Sequence, residues 1–470
     1  MSSILIKNAL LTATMDDRGL EFQGGHIFIQ DGVITSIGAE PLSTIADEII
    51  DASGMLVLPG FINTHHHLYQ SLTRNIPLMQ DQPLFAWLTN HYEVWRELTE
   101  EAVRISTATG LLELMKSGVT TSSDHLYLFP RKTSPLLIDA EIQTASELGI
   151  RFQPTRGSMS LGKSKGGLPP DDTVQTEDEI RKDTLRLIKK YHDASGGAMV
   201  RLSLAPCSPF SVTPELMRET AVFAKDNNLM IHTHLAETLD EERFCLQQYG
   251  MRPVEYIRSL GWLTDNSWYA HSVHLNDEEI REMGSANVGV SHCPTSNMRL
   301  GSGIARIKEL LDSGVKVSLG VDGSASNDSG NMLMEIRNAM LISRLRESRH
   351  WLTARDVVSM ATRGGAQVLG RDDIGQLSPG KCADICMFDM NRLEYAGGMS
   401  DPLAALVFSV RTAPVDYLFI NGQIRIKEGI TQINENSLIS DHNRISQTMI
   451  EQAQQKTGIS FMTHKEIEKS

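Results

Sequence analysis

Histidines stand in pairs at alternate positions within two largely apolar runs. His65 and His67 end the run PGFINTHHH, and His232 and His234 lie in IHTHLAET. Because successive side chains of an extended strand point to opposite faces, each pair presents two imidazoles on one face. Neutral imidazole nitrogens are common ligands for zinc and other transition metals. The pairs therefore indicate a metal centre, although a single group of loop histidines is equally consistent with a structural role.

Polar residues end two further strand-like runs in the same way. His271 and His274 lie in YAHSVHL, and Asp322 follows the apolar run KVSLGV. Glu237 lies three positions after His234. An isolated Asp-Gly pair more often starts a turn than binds a metal. Four runs that all end in histidine or acid are explained most economically by one shared centre. Three histidines and one aspartate match a catalytic zinc site that keeps a position open for water.

Eight strand-like runs alternate with helical patterns over residues 58–384, which predicts a parallel (β/α)8 TIM barrel. The strands of such a barrel all end at one mouth, where long loops build active sites. Residues 68–98 and 157–176 are predicted to be such loops. Short alternating strands at both ends of the chain predict a small β-sandwich domain formed from residues 1–57 and 385–470, of which residues 440–470 are expected to be helical or frayed. The eight runs are MLVLPGFINTHHH, GVTTSSDHLY, IRFQPTRGSM, MVRLSLAPCSPF, LMIHTHLAET, SWYAHSVHL, VGVSHCPTSN and KVSLGVDGSASND.

The composition excludes several classes of partner. Lys and Arg number 44 against 58 Asp and Glu, which gives a net charge of −14. A surface of that sign repels phosphate backbones and anionic lipids, so we expect neither a nucleic acid nor a membrane as partner. The five cysteines are odd in number and scattered, which argues against a disulfide framework. We therefore expect a cytoplasmic protein. Whether the chain forms a homo-oligomer is left open by these features.

Several motifs together resemble the nucleobase-deaminase branch of the amidohydrolase superfamily. They are PGFINTHHH, HTHLAE, AHSVHL, SHCPTSN and LGVDGSASN, and with GKCADICMFD they extend over nearly the whole chain. Within that branch HHHLYQSLTR, TSSDHLYLFP and LAPCSPFSV are most similar to 8-oxoguanine deaminases. The segment SMSLGKSKGG is also similar to triazine hydrolases. The resemblance implies a metal-dependent enzyme that acts on a small heterocycle of purine or pyrimidine metabolism.

The resemblance also implies roles for individual residues. One divalent metal ion is expected, zinc with Fe²⁺ as the alternative, because strand four lacks the Lys that commonly bridges two metals in related barrels. Glu237 is expected to protonate a ring nitrogen, His271 to bind the new oxygen, and Asp322 to act as the base that takes the proton of the attacking water. The implied ligands are His65, His67, His234 and Asp322.

The substrate pocket is expected to involve Gln70, which matches a substrate-binding glutamine of guanine deaminases. Those enzymes carry an Arg where this chain has Cys207, which argues against plain guanine. Trp95 and Tyr69 are candidates for stacking on the substrate ring or for core packing. We expect hydrolytic deamination of 8-oxoguanine or isocytosine. The alternatives are a triazine or pterin aminohydrolase and, from another class, a non-catalytic barrel assembly protein, although such proteins usually lose metal ligands.

Overall fold

Eight parallel strands form a sheet in sequence order, and this sheet closes into a barrel. The computed structural model describes residues 3–346, 351–409 and 413–463. The ring closes where the Thr64 N–H donates to Leu319 O at 3.1 Å and the Asp322 N–H donates to His65 O at 3.0 Å. The predicted (β/α)8 barrel is thus confirmed. Numbered one to eight in chain order, its strands are Phe61–Asn63, Val119–Asp124, Arg151–Ser158, Ser203–Pro206, Ile231–Leu235, Ser267–His271, Gly289–His292 and Lys316–Leu319.

Helices connect the barrel strands, and polar caps fix where many of them begin. A capping side chain accepts a backbone N–H that has no partner within the helix. Such caps include Thr99, Thr176, Thr213, Thr238 and Asn276. The helices are Glu100–Lys116, Leu137–Leu148, Glu177–Tyr191, Pro214–Asp226, Leu239–Tyr249, Pro253–Ser259, Asp277–Ser285, Pro294–Arg299, Ile307–Asp312, Met332–Ser343, Ala354–Ser359 and Gly365–Val368, with a π-helical turn at Met360–Gly364.

The segment after strand one, expected to be a long loop over residues 68–98, is largely helical. It contains the α-helix Leu84–Trp95 and the short 3₁₀ turns Leu68–Thr73 and Pro77–Met79. Apolar residues recur at helical spacing in LFAWLTNHYEVW, and this face of the helix is buried over the barrel mouth. The second expected loop, residues 157–176, is mostly irregular and contains one short turn, Lys163–Lys165.

A separate, mainly antiparallel sheet combines strands from both termini. The sheet curls, and its two ends are joined by hydrogen bonds: the Ile34 N–H donates to Lys381 O at 2.9 Å, and the Ala383 N–H donates to Gly32 O at 2.8 Å. It encloses its own apolar core. The strand Met55–Pro59, directly before barrel strand one, belongs to this terminal sheet, and the barrel sheet begins only at Phe61. The strands are Ser3–Ala13, Glu21–Gln30, Val33–Gly38, Glu48–Asp51, Met55–Pro59, Ile385–Asp389, Tyr417–Ile420, Gln423–Lys427 and Ile430–Thr431.

Two buried contacts attach the terminal segments to the barrel. The Arg151 guanidinium makes a two-pronged ion pair with Asp384 at 3.0 and 3.1 Å. The C-terminal helix Glu435–Thr457 packs on the turn Leu68–Thr73, where His442 Nε2 donates to Ser71 O at 3.0 Å. Two further short helical segments are Leu393–Tyr395 and Pro402–Phe408. Within the described ranges, no helix combines the length and apolar character needed to cross a bilayer.

Candidate metal centre and active site

The four predicted ligands converge at the barrel mouth. His65 and His67 follow strand one, His234 lies in strand five, and Asp322 follows strand eight. His67 Nε2 lies 3.1 Å from His234 Nε2. Asp322 Oδ1 lies 3.3 Å from His65 Nε2 and 3.4 Å from His67 Nε2. The side chains are buried, so these nitrogen and oxygen atoms face one another with little access to bulk water.

Hydrogen bonds at the far side of each ring set the histidine tautomers. His67 Nδ1 donates to His125 O at 2.8 Å, and His234 Nδ1 donates to Cys207 O at 2.7 Å. A backbone carbonyl only accepts, so the neutral ring keeps its lone pair on Nε2, which faces the centre. Burial lowers the pKa of His234 to about 3 and also lowers the pKa of His67, which keeps both rings neutral.

His65 reaches the same state through a second histidine. His232 Nδ1 donates to Trp268 O at 3.0 Å, so its Nε2 is an acceptor. His65 Nδ1 donates to that Nε2 at 2.8 Å, which leaves the lone pair of His65 Nε2 towards the centre. His65 Nε2 has no hydrogen-bond partner among the described residues. Three converging lone pairs beside a carboxylate fit a divalent transition metal and would be unfavourable without a cation.

The Asp322 carboxylate has two differently used oxygens. Oδ1 faces the histidines and also accepts the Gly323 N–H at 2.6 Å. Oδ2 accepts from Ser296 Oγ at 2.6 Å and lies 3.8 Å from His271 Nε2. Burial alone would raise the pKa of Asp322, but the surrounding imidazoles, above all His65 at 3.3 Å, hold this pKa well below its ordinary value. Asp322 is therefore ionised, with Oδ2 free of the ligand cluster.

Glu237 and His271 complete the polar centre. His271 Nε2 lies 3.6 Å from Glu237 Oε2. Burial raises the pKa of Glu237 to about 7, so a protonated carboxyl is accessible near neutral pH. Burial would lower the pKa of His271, but the charges of Glu237 and Asp322 raise it overall. The three residues can donate, hold and accept protons within one buried space.

Several of these residues lie on strained backbone. Ala236, His271 and Asp322 have φ values of 51°, 71° and 62°, in the left-handed region that non-glycine residues seldom adopt. The Glu241 carboxylate stabilises one such turn by accepting the Ala236 N–H at 2.8 Å and the Glu237 N–H at 2.9 Å. Such strain is typical of functional sites, and here it turns the Glu237 side chain into the cavity.

A cavity opens directly beside the metal-binding atoms. Gln70 and Cys207 line it, as the sequence predicted, but Trp95 does not. Trp95 is fully buried behind Trp87, and its indole N–H donates to Thr73 Oγ1 at 3.0 Å. The apolar walls, which sequence reasoning missed, are Leu84, Trp87, Leu88, Tyr92, Tyr127, Phe210 and Leu300.

A profile described as the amidohydrolase family matches residues 56–425, which span the barrel and part of the terminal sheet. The chain belongs to the amidohydrolase family. The match begins within the strand before the barrel and includes all of the residues that converge at the mouth.

Individual amidohydrolases are similar over almost their full length. An 8-oxoguanine deaminase of Pseudomonas aeruginosa is 46% identical over 96% of this chain and 100% of its own length. An isoxanthopterin deaminase from an unknown prokaryotic organism is 35% identical over 90% of this chain and 92% of its own. The atrazine chlorohydrolase of Arthrobacter aurescens, solved with zinc, is 34% identical with a TM-score of 0.90, covering 94% of this chain and 100% of its own.

Sequence reasoning about this amidohydrolase missed how several residues hold the ligands and the proton-transferring groups. His232 orients His65, and Ser296 and Asn297 contact Asp322 and His271. His125 lies within 4.8 Å of three predicted ligands, and its Nε2 donates to Ala205 O at 2.9 Å. His125, Ser296 and Asn297 lie in the motifs TSSDHLYLFP and SHCPTSN, so the motifs contained the signal, but only the tertiary contacts assign each side chain.

Proposed function

We propose that this amidohydrolase is a zinc-dependent deaminase of small amino-oxo heterocycles, with 8-oxoguanine and isocytosine as substrates. The observation that carries the proposal is the buried cavity in which Glu237, His271 and Asp322 surround the metal-binding atoms. The 46% identical 8-oxoguanine deaminase supports the substrate class. We assign His65, His67, His234 and Asp322 as the ligands of one zinc ion, which the zinc-containing relative supports.

Two unpaired polar groups of the cavity suit the edge of such a ring. Gln70 Oε1 and Trp87 Nε1 are buried without hydrogen-bond partners among the described residues. The first accepts and the second donates, so a ring that carries an N–H and a carbonyl would satisfy both. Gly323 permits this arrangement, because a Cβ there would lie 1.8 Å from Gln70 Oε1. We therefore assign substrate binding to Gln70 and Trp87 rather than Trp95.

Cys207 supports a preference for substrates that carry an oxidised imidazole ring, such as 8-oxoguanine, or that have no second ring, such as isocytosine. Burial raises the pKa of Cys207 to about 12, so the group is a neutral thiol and a weak donor. An Arg in its place would present five donors and a positive charge. The smaller thiol leaves space at this wall for one more oxygen.

The reaction follows from the positions of the side chains. When bound, zinc lowers the pKa of a water molecule towards about 7 and so supplies a nucleophile at neutral pH. Asp322 Oδ2 accepts the proton of the attacking water, and Glu237 gives its proton to the adjacent ring nitrogen. His271 Nε2, whose ring carries its proton on Nδ1, accepts a hydrogen bond from the hydroxyl group added at the ring carbon. Asp322 then returns its proton to the exocyclic amine, and Glu237 takes back the proton of the added hydroxyl group as the C–N bond breaks. This releases ammonia, leaves the oxo product and restores both carboxyl groups.

A pterin is the second candidate substrate. Its amino-oxo pyrimidine edge is the same fragment that Gln70 and Trp87 would bind, and an isoxanthopterin deaminase is 35% identical to this chain. The second ring of a pterin is larger than an imidazole. The walls formed by Tyr92, Phe210 and Leu300 limit that space, which favours the smaller purine.

We expect 8-oxoguanine and isocytosine to be deaminated about 10- to 100-fold more efficiently than guanine. The reason is the polar contact at Cys207, because a buried hydrogen bond gained or lost is worth about 1–3 kcal/mol. The measurement is kcat/KM for the three compounds with one enzyme preparation, read by ammonia release. Guanine as the best substrate would contradict the Cys207 argument. Ammonia release from isoxanthopterin alone would favour the pterin.

We expect about one zinc ion per chain in active enzyme, since the two groups of donor atoms in the described part of the chain share His65 and so lie around one centre. Elemental analysis of purified protein, with activity measured on the same sample, tests this. Chelation should abolish activity, and one equivalent of zinc should restore it. A content near two ions per chain that correlates with activity would contradict a single centre.

The cytoplasm is our proposed location, because the five cysteines are all buried thiols without a disulfide. The domain boundaries at 57/58 and 384/385 and a homo-oligomeric state stay predictions. Limited proteolysis and light scattering, respectively, would test them.

A further inference from the structure

The short helix Pro294–Arg299 contacts two reactive groups with adjacent side chains. It follows strand seven, which contributes none of the proposed ligands. Ser296 Oγ donates to Asp322 Oδ2 at 2.6 Å, and Asn297 Oδ1 accepts from His271 Nδ1 at 2.9 Å. All four side chains are buried. One segment of six residues therefore holds both the proposed base and the histidine beside it.

The Asn297 contact determines which nitrogen of His271 faces the cavity. An amide oxygen only accepts, so His271 Nδ1 must carry a proton to make this bond. Nε2 then lies between Glu237 Oε2 at 3.6 Å and Asp322 Oδ2 at 3.8 Å. Rotation of the imidazole about Cβ–Cγ would break the Asn297 bond and withdraw Nε2 from both carboxylates.

We propose that Asn297 is a positioning residue that keeps His271 protonated at Nδ1 and its Nε2 aimed between Glu237 and Asp322. The inference rests on the proposed role of His271 in deamination. Asn297 does not line the cavity and acts only through His271.

The Asn297 backbone is held independently of its side chain. Its N–H donates to Cys293 O at 3.0 Å, and its carbonyl accepts from the Ser302 N–H at 2.8 Å. A substitution of the side chain therefore leaves these two bonds in place. Leu is close to Asn in size and lacks the acceptor, whereas Asp retains an acceptor oxygen in the same position.

The experiment compares wild-type enzyme with Asn297→Leu, Asn297→Asp and the control Thr295→Val. Thr295 lies on the same helix, but its hydroxyl accepts from Asn338 Nδ2 at 2.8 Å and does not contact the site. For Asn297→Leu we expect kcat to fall about 10- to 100-fold, with KM, zinc content and Tm close to wild type. Asn297→Asp should restore most of the lost kcat, and Thr295→Val should behave as wild type.

The histidine tautomer is measured directly by ¹⁵N NMR of histidine-labelled protein, with the His271 signal assigned by its loss in His271→Asn. We expect Nδ1 to carry the proton in wild type and in Asn297→Asp, and a mixture of tautomers in Asn297→Leu. An unprotonated Nδ1 in wild type would overturn the proposal, and so would wild-type kcat in Asn297→Leu. Loss of zinc and of Tm in step with activity would also overturn it, because that pattern indicates a structural role.

The two proposals fail in different ways. If wild-type enzyme releases ammonia from none of the heterocycles, the proposed function fails. The tautomer of wild-type His271 still decides the Asn297 inference, because this NMR measurement needs neither turnover nor a variant that folds.

Discussion

Asp322→Asn is expected to reduce deamination by at least about 10³-fold while the protein stays folded. Oδ2 of this carboxylate is the atom assigned to accept the water proton, and an amide at that position cannot accept it. The fold should survive, because Asn has the same shape. The hydroxyl groups of Ser296 and Ser326, which now donate to Oδ2, can rotate to accept from the new NH₂.

The measurement for this variant is kcat/KM on the best substrate, together with zinc content and Tm. Asp328→Asn is the matched control, since Asp328 lies in the same loop but pairs with Arg299 at 3.2 Å outside the cavity. The control should retain wild-type activity. An Asp322→Asn enzyme that binds zinc and turns over at the wild-type rate would show that another group accepts the proton.

Glu237→Gln is expected to lower kcat by at least about 10²-fold and to leave zinc binding unchanged. The side chain is buried 3.6 Å from His271 and belongs to none of the ligand contacts. The turn that presents it is fixed by Glu241 through backbone N–H groups, so an amide should occupy the same place. Glutamine cannot donate a proton to the ring nitrogen, and the reaction loses its general acid.

The pH profile separates proton donation by Glu237 from mere packing. Burial raises the pKa of Glu237 to about 7, so its protonated form is lost as the pH rises through that value. Wild-type kcat/KM should therefore fall on the alkaline side, and the residual activity of Glu237→Gln should lack this decline. Glu242→Gln, which removes only an ion pair with Arg252, serves as the control. A Glu237→Gln profile identical to wild type would assign the proton to another group.

The barrel and the place of its centre were predictable from the sequence, and the physical reason is the geometry of parallel strands. Strand–helix alternation repeated eight times leaves few architectures, and all strands of a parallel barrel end at one mouth. Histidines and acidic residues at the ends of these strands, such as His65, His234 and Asp322, must therefore lie close together. The sheet made from both termini was equally visible, because short alternating strands with Gly-containing turns flank the barrel pattern.

The substrate-facing residues were less predictable. Helical spacing shows which side chains share one face of a helix, but it does not show which of them reaches the cavity. Trp87, His91 and Trp95 lie on one side of the helix Leu84–Trp95, and sequence alone does not tell which ring reaches the cavity. Docking of the helix over the barrel mouth places Trp87 in the wall and Trp95 behind it. The same segment was expected to be a loop because it is long and follows the first barrel strand, where long loops build active sites.

The hydrogen bonds that orient the ligands were decided by tertiary structure alone. His232 and His234 share the spacing of a ligand pair, yet only His234 offers Nε2 to the centre, while His232 orients His65 from the layer below. Ser296 and Asn297 are small polar residues that suit many surface turns. They contact Asp322 and His271 because their helix follows strand seven and therefore lies at the same barrel mouth. Residues so far apart in the chain come together only in the folded barrel, so no local sequence pattern predicts these contacts.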